Sequence, residues 1–356
     1  MISPDRGTIH NIQCLRGVSA LLVVFFHLGP AYEAFGIPQF GGGGVDVFFV
    51  ISGFIMAYTS AQRPISGAAF MGARIRRIVP LYWAVTSFVF CLAIFAPGLM
   101  KRSHTSWLEF IQSLFFLPFE RDGGLVDPVL FLGWTLNYEM FFYLMFALGL
   151  TFPRGAGQRY TAFAILGLTG LGGILDFNSP LFKFYTNPIM LEFCFGMLAA
   201  LVYEQIPSQV SRPVRYSCVA SAFAGLLLVI IIPVFLRDVS RAWLSGLPAL
   251  MLVGSCLALE KWSLRIGSRF LLLMGAASYS LYLTHIFVTE LMVKAARLLA
   301  PDAMAAAVIV ASGVVLSCLL ALAVYRYVEA PSQKLWRARG GAAVVGSARP
   351  GLERQG

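Results

Sequence analysis

Four ionisable side chains stand inside apolar stretches of this 356-residue chain: His27, Asp46, Glu139 and His285. A titratable group in hydrocarbon is costly and is kept where it pairs or works. An imidazole beside a carboxylate moves protons, because the carboxylate fixes its tautomer and strengthens it as a base. His27 follows Arg16 by 11 residues. At about 100° per residue the two share one helical stripe, some 16 Å apart along the axis. Asp46 follows the four glycines Gly41 to Gly44, which permit a sharp bend and close backbone approach. It is expected to enter the membrane from the outer side, at a depth like that of His27. Glu139 lies in the run Trp134-Thr135-Leu136-Asn137-Tyr138-Glu139 and His285 ends Ser280-Leu281-Tyr282-Leu283-Thr284-His285. Placed at one depth, the four groups predict a buried polar chamber suited to proton transfer. A second cluster, Arg74, Arg76 and Arg77, predicts a different chemistry. Arg74 and Arg77 share a helical face, and the guanidinium is the side chain best suited to phosphate. These arginines are expected at the opposite, cytoplasmic end.

The elements that must hold these groups are membrane helices. Hydrophobic residues make up 58% of the chain and charged residues 12%, with mean hydropathy +0.76. Soluble domains carry about 25% charged residues, so lipid is the expected solvent. Ten apolar segments of near-spanning length are predicted at 12–28, 44–60, 78–97, 131–152, 160–175, 185–203, 216–236, 243–259, 270–293 and 304–328. The fold class is therefore all-α and polytopic, with one membrane domain over 1–336 and a disordered tail over 337–356. A shorter apolar stretch between 107 and 119 is read as interfacial or re-entrant. The first segment has no cleavage site behind it and reads as a span rather than a signal. Of the 27 Lys and Arg, nineteen fall in one set of loops and tails and eight in the other. That bias predicts both termini in the cytoplasm. It also accounts for the net charge of +10 without nucleic acid. The six cysteines lie singly, which predicts neither a metal site nor a disulfide framework. Glu329 and Pro331 are read as structural. Buried His, Asp and Glu on ten helices would also suit a proton-coupled transporter or flippase of a polar lipid or sugar, although no internal repeat is visible. The oligomeric state is not legible.

The motifs, taken in order, resemble the acyltransferase-3 family of membrane acyltransferases. They are Arg16 with ten residues before His27, Gly44-Val45-Asp46-Val47-Phe48-Phe49-Val50-Ile51-Ser52-Gly53-Phe54, Arg74-x-x-Arg77-x-x-Pro80, Trp134-Thr135-Leu136-x-x-Glu139, and Ser280-Leu281-Tyr282-Leu283-x-His285. The resemblance runs from Ile12 to about Leu335. It implies transfer of an acyl group, usually acetyl, from acyl-CoA to a carbohydrate hydroxyl, as in enzymes that modify lipopolysaccharide, exopolysaccharide or oligosaccharides. It implies a bacterial inner-membrane location, acetyl-CoA or another acyl-CoA as donor substrate and no permanently bound cofactor. By this resemblance His27 is the catalytic base, Arg74 and Arg77 bind the acyl-CoA, and Arg16 and Glu139 are needed for activity. Arg16 is expected to help hold the donor, and Asp46 or Glu139 to orient the imidazole. Ser52, Trp134, Tyr138, Tyr282 and His285 are expected to contact the acceptor or support the site. Some members carry an added periplasmic hydrolase-like domain; this chain is expected to act without one.

Overall fold

The chain folds as an all-α polytopic membrane protein, and a computed structural model describes residues 9–96, 106–120, 126–153, 156–175, 177–235, 241–299 and 301–335. Among the described residues there is no strand. A helix closes its backbone hydrogen bonds within one segment, which is what a solvent without hydrogen-bond partners requires. The order is α1 (His10–Leu28), α2 (Gly44–Gln62), α3 (Gly67–Phe95), α4 (Trp107–Leu114), α5 (Gly133–Gly149), α6 (Ala156–Ile174), α7 (Pro180–Tyr185), α8 (Leu191–Gln205), α9 (Arg212–Phe235), α10 (Arg241–Leu244), α11 (Gly246–Lys261), α12 (Arg269–Ala276), α13 (Ser278–Leu299) and α14 (Ala303–Val324).

Every one of the ten predicted segments contains helix. Seven helical stretches are long and apolar enough to cross a membrane unaided, and α12 with α13 makes an eighth if that pair, bent by 83°, is one span. α5 and α6 are not among them; the 17 residues of α5 reach about 25 Å. The tail 337–356 lies outside the described residues.

The boundary of α3 departs from expectation. The helix starts at Gly67, where Ser66 Oγ accepts from Ala69 N, and not at 78. Arg74, Arg76 and Arg77 therefore stand on a helix rather than in a loop. The short apolar stretch is α4, opened by a capping box between Ser106 and Glu109. It lies against α3, with Phe90 stacked on Phe110 at 4.2 Å and Trp83 Nε1 donating to Leu114 O at 2.8 Å. Its Trp107, Leu108 and Ile111 stay exposed, as an interfacial helix would have them.

Burial identifies the centre. The most apolar window of α2 is 67% buried and that of α9 only 11%, so α2 is a core helix and α9 faces lipid. Membrane helices gain little from hiding apolar surface and pack instead through small residues. A Cβ on Gly53 of α2 would stand 2.0 Å from Phe193 O of α8, and one on Gly196 of α8 would stand 2.0 Å from Val50 O of α2. The two glycines let the backbones touch. Gly275 against Gln13 O does the same for α12 and α1. Asn11 then pins α1: its amide donates to Cys256 O and Leu264 O at 3.1 and 2.9 Å, and its backbone N–H donates to Glu260 at 2.8 Å.

Candidate active site

The centre of the bundle holds a cavity of about 820 Å³, its open mouth included, walled by α1, α2, α3, α5 and α13. Its polar lining is Arg16, Ser52, Arg74, Arg77, Thr135, Glu139, Tyr143, Ser278, Tyr279 and Tyr282, and its apolar wall is the inward face of α2 with Ile78 and Leu136. Because α3 is helical through 74–77, Arg74 and Arg77 turn inward together while Arg76 is exposed. The Arg74 guanidinium lies 5.5 Å from the Phe70 ring centroid and 5.9 Å from that of Tyr143, contacts that hold a cation with its hydrogen-bonding edge available. Arg16 donates to Ser278 Oγ at 2.8 Å and to Gln13 Oε1 at 3.2 Å. Tyr143, one turn beyond Glu139, donates to the Glu139 carboxylate, and Ser52 Oγ donates to the same oxygen at 3.2 Å. The chamber thus pairs three cations with one hydrogen-bonded carboxylate.

Two of its lining residues, Thr135 and Tyr282, form a side-chain bridge. Tyr282 Oη donates to Leu132 O at 2.9 Å and lies 2.6 Å from Thr135 Oγ1. Neither His27 nor His285 lines the chamber. They stand behind this bridge: the Tyr282 ring centroid is 6.2 Å from that of His285, which is 4.9 Å from that of His27. The imidazoles are bonded to each other, His285 Nε2 to His27 Nδ1 at 3.2 Å. His285 is fully buried, whereas His27 is half-buried beside Phe26 and Phe131.

The expectation of four acidic and imidazole groups at one depth does not hold. Gly41 of the loop approaches Leu22 O and Gly44 approaches Ser19 O, so α2 runs down α1 with Asp46 opposite its middle. That is about ten residues, or ~15 Å, from His27. Asp46 is fully buried and takes both N–H edges of Arg241, at 2.8 and 2.7 Å. Arg241 also donates to Gly42 O at 3.1 Å and lies 5.6 Å from the Trp134 ring. Asp46 and Trp134 therefore belong to an ion-pair group rather than to the imidazole. Removing one partner of such a pair leaves a buried charge, at about 3–5 kcal/mol. Glu139 faces the arginines instead of the histidines. Tyr138 is stacked on Phe184 at 3.8 Å and packs the bundle without lining the chamber.

Several site residues escaped the sequence reading. Arg241 looked like one more loop cation, since its partner is 195 residues away. Tyr143 could have been found from its spacing of four after Glu139. Glu192, fully buried, lies beside Asp46 and within electrostatic reach of Arg241. Among the described residues no group of three His, Cys, Asp or Glu could hold a metal ion.

The motifs that resembled acyltransferase-3 proteins occupy one connected region of α1, α2, α3, α5 and α13, and the chain belongs to that family of integral membrane acyltransferases. The family model, described as an acyltransferase domain, matches residues 9–326. Among its relatives is the exopolysaccharide production protein ExoZ of Rhizobium meliloti (strain 1021), 35% identical over 305 residues, which are 84% of this chain and 92% of ExoZ. The O-acetyltransferase OatA of Staphylococcus aureus (strain NCTC 8325 / PS 47) is 24% identical over 362 residues, 91% of this chain but 57% of OatA. Nodulation protein 10 of Rhizobium leguminosarum bv. viciae is 28% identical over 230 residues, 57% of this chain and 62% of that protein. No solved structure matches.

Proposed function

We propose that this protein is an inner-membrane O-acetyltransferase that moves acetyl from acetyl-CoA to a hydroxyl of an exported or cell-surface carbohydrate. One observation carries the reading: an arginine-lined chamber ends a single aromatic ring away from a bonded pair of imidazoles. The names of ExoZ and OatA, taken with family membership, favour polysaccharide over other acceptors. Family membership also favours an enzyme over a transporter.

In this reading the phosphates of acetyl-CoA dock on Arg74 and Arg77, with Arg16 deeper on the same path, through charge-assisted hydrogen bonds. The excess of Lys and Arg on that side supports a cytoplasmic mouth. The pantetheine arm runs along the apolar face of α2 and displaces the Tyr282 bridge to bring the thioester towards His27. His27 Nε2 takes the proton of the acceptor hydroxyl as its oxygen attacks the thioester carbonyl carbon. The C–S bond breaks, the proton passes from His27 to the leaving thiolate, and the products are the O-acetyl ester and free CoA.

Ser52 supports a second route, because its hydroxyl already donates to Glu139 within the chamber. Ser52 Oγ would attack the thioester carbonyl carbon and give its proton to Glu139, the C–S bond would break with release of CoA as the thiol, and the acceptor hydroxyl would then take the acetyl group from Ser52. Rapid quenching with labelled acetyl-CoA in the absence of acceptor separates the routes, since only the second leaves label on the protein.

The test of function compares surface polysaccharide from cells carrying the wild type, the His27→Ala variant or no protein. Acetyl groups present only with the wild type are the expected result. The variant should insert at normal abundance, as His27 is half-buried. Acetylation that persists at wild-type level in His27→Ala removes the base assignment.

A further inference from the structure

The two histidines carry a tautomer assignment that goes beyond the choice of His27 as base, and rests on it. Leu281 O stands 2.9 Å from His285 Nδ1. A carbonyl oxygen only accepts, so that nitrogen carries a hydrogen. His285 is fully buried, and a ring placed between a carbonyl and another imidazole is held there uncharged. Its Nε2 is then a lone pair, and it points at His27 Nδ1 from 3.2 Å. Val23 O, a second acceptor, lies 2.9 Å from the same His27 nitrogen. Two acceptors converging on one ring nitrogen demand a hydrogen on it. The other tautomer would set the His27 lone pair against both.

We propose that His285 is a positioning residue: with Val23 O it holds His27 protonated at Nδ1, which puts the basic lone pair on Nε2, and it shares the charge once Nε2 has taken a proton. A neutral imidazole and a peptide carbonyl thereby fill the place that a carboxylate fills in a Ser-His-Asp triad. Asp46 is engaged by Arg241 and Glu139 by Tyr143 and Ser52. Both histidines bond the carbonyl four residues back on their own helix. The tautomer is therefore written into two helices that face each other.

The experiment has two arms. Nitrogen NMR of the full chain, ¹⁵N-labelled at its four histidines and assigned by single glutamine replacements, reads the tautomer directly. Nδ1–H with an unprotonated Nε2 is expected at His27 in the wild type. A resting His27 protonated on Nε2 overturns the proposal without reference to any variant or to activity. The second arm is kinetic. His285→Gln can place an amide oxygen near the lost Nε2, whereas His285→Leu cannot. The leucine variant should lose about ten- to a hundredfold in kcat, the range for one hydrogen bond to a charged group, with KM for acetyl-CoA unchanged. The glutamine variant should recover most of that loss. Equal kcat in the two variants would reduce His285 to a packing residue. If His27→Ala stays active while the wild-type spectrum shows Nδ1–H, the base reading fails and the tautomer assignment stands.

Discussion

Guanidinium groups in this protein stand in two kinds of surroundings. Arg241 is locked to a fully buried carboxylate by two hydrogen bonds and is structural. Arg74 and Arg77 line an open cavity, with Arg74 braced by aromatic faces. A ligand phosphate can therefore reach Arg74 and Arg77. Arg74→Gln and Arg77→Gln should each raise KM for acetyl-CoA by about ten- to a hundredfold, the worth of one charge-assisted bond, and change kcat little. Steady-state kinetics of the purified protein checks this, and an unmoved KM removes their phosphate role. The sequence already pointed to Arg16, Arg74, Arg77 and Tyr282 as site residues, and the chamber brings them together. Asp46 misled because depth can be counted along one helix but not carried across to the next. The register of α2 on α1 is set by Gly41 at Leu22 O and Gly44 at Ser19 O, and hydropathy does not encode it. His285 was expected at the depth of His27 and is its partner at 3.2 Å, whereas the carboxylate expected beside the imidazole is not.

At the level of elements, the approach of α2 to α8 is the contact on which the chamber depends. α2 supplies most of the apolar wall and Ser52, and two reciprocal glycines seat it on α8. Gly196→Leu would force backbone atoms apart at Val50 O and Phe54 N. Overpacking of this kind costs about 1–3 kcal/mol, so the variant should melt several degrees lower in detergent. A melting temperature equal to that of the wild type would mean the two helices do not touch as described. Segment existence was readable from apolar runs, but two boundaries were not. The arginines at 74, 76 and 77 interrupt the apolar run of α3, so hydropathy began that helix at 78 instead of Gly67. The break between α12 and α13 falls at Ala277 with no proline to mark it, and periodicity read one helix where there are two at 83°.

For the whole molecule, the ten apolar segments of the sequence would, if each crossed, return the carboxyl terminus to the side of the amino terminus. Asn11, at the start of α1, bonds Glu260 at the end of α11 and Leu264 in the following linker, so these regions share one face. With the Lys and Arg bias, a carboxyl-terminal fluorescent protein fusion should glow and an alkaline phosphatase fusion at the same place should be inactive. The reverse pattern would turn the arginine chamber away from the cytoplasm and from its donor. α13 then ties the two faces together. Ser278, Tyr282 and His285 recur on one side of it at intervals of four and three residues, touching Arg16, the bridge at Leu132 and Thr135, and His27. A rigid rod gripped at three levels turns like a key. Tyr282 and His285 stand one turn apart on it, so a rotation of α13 that shifted the tyrosine would also shift the imidazole bonded to His27.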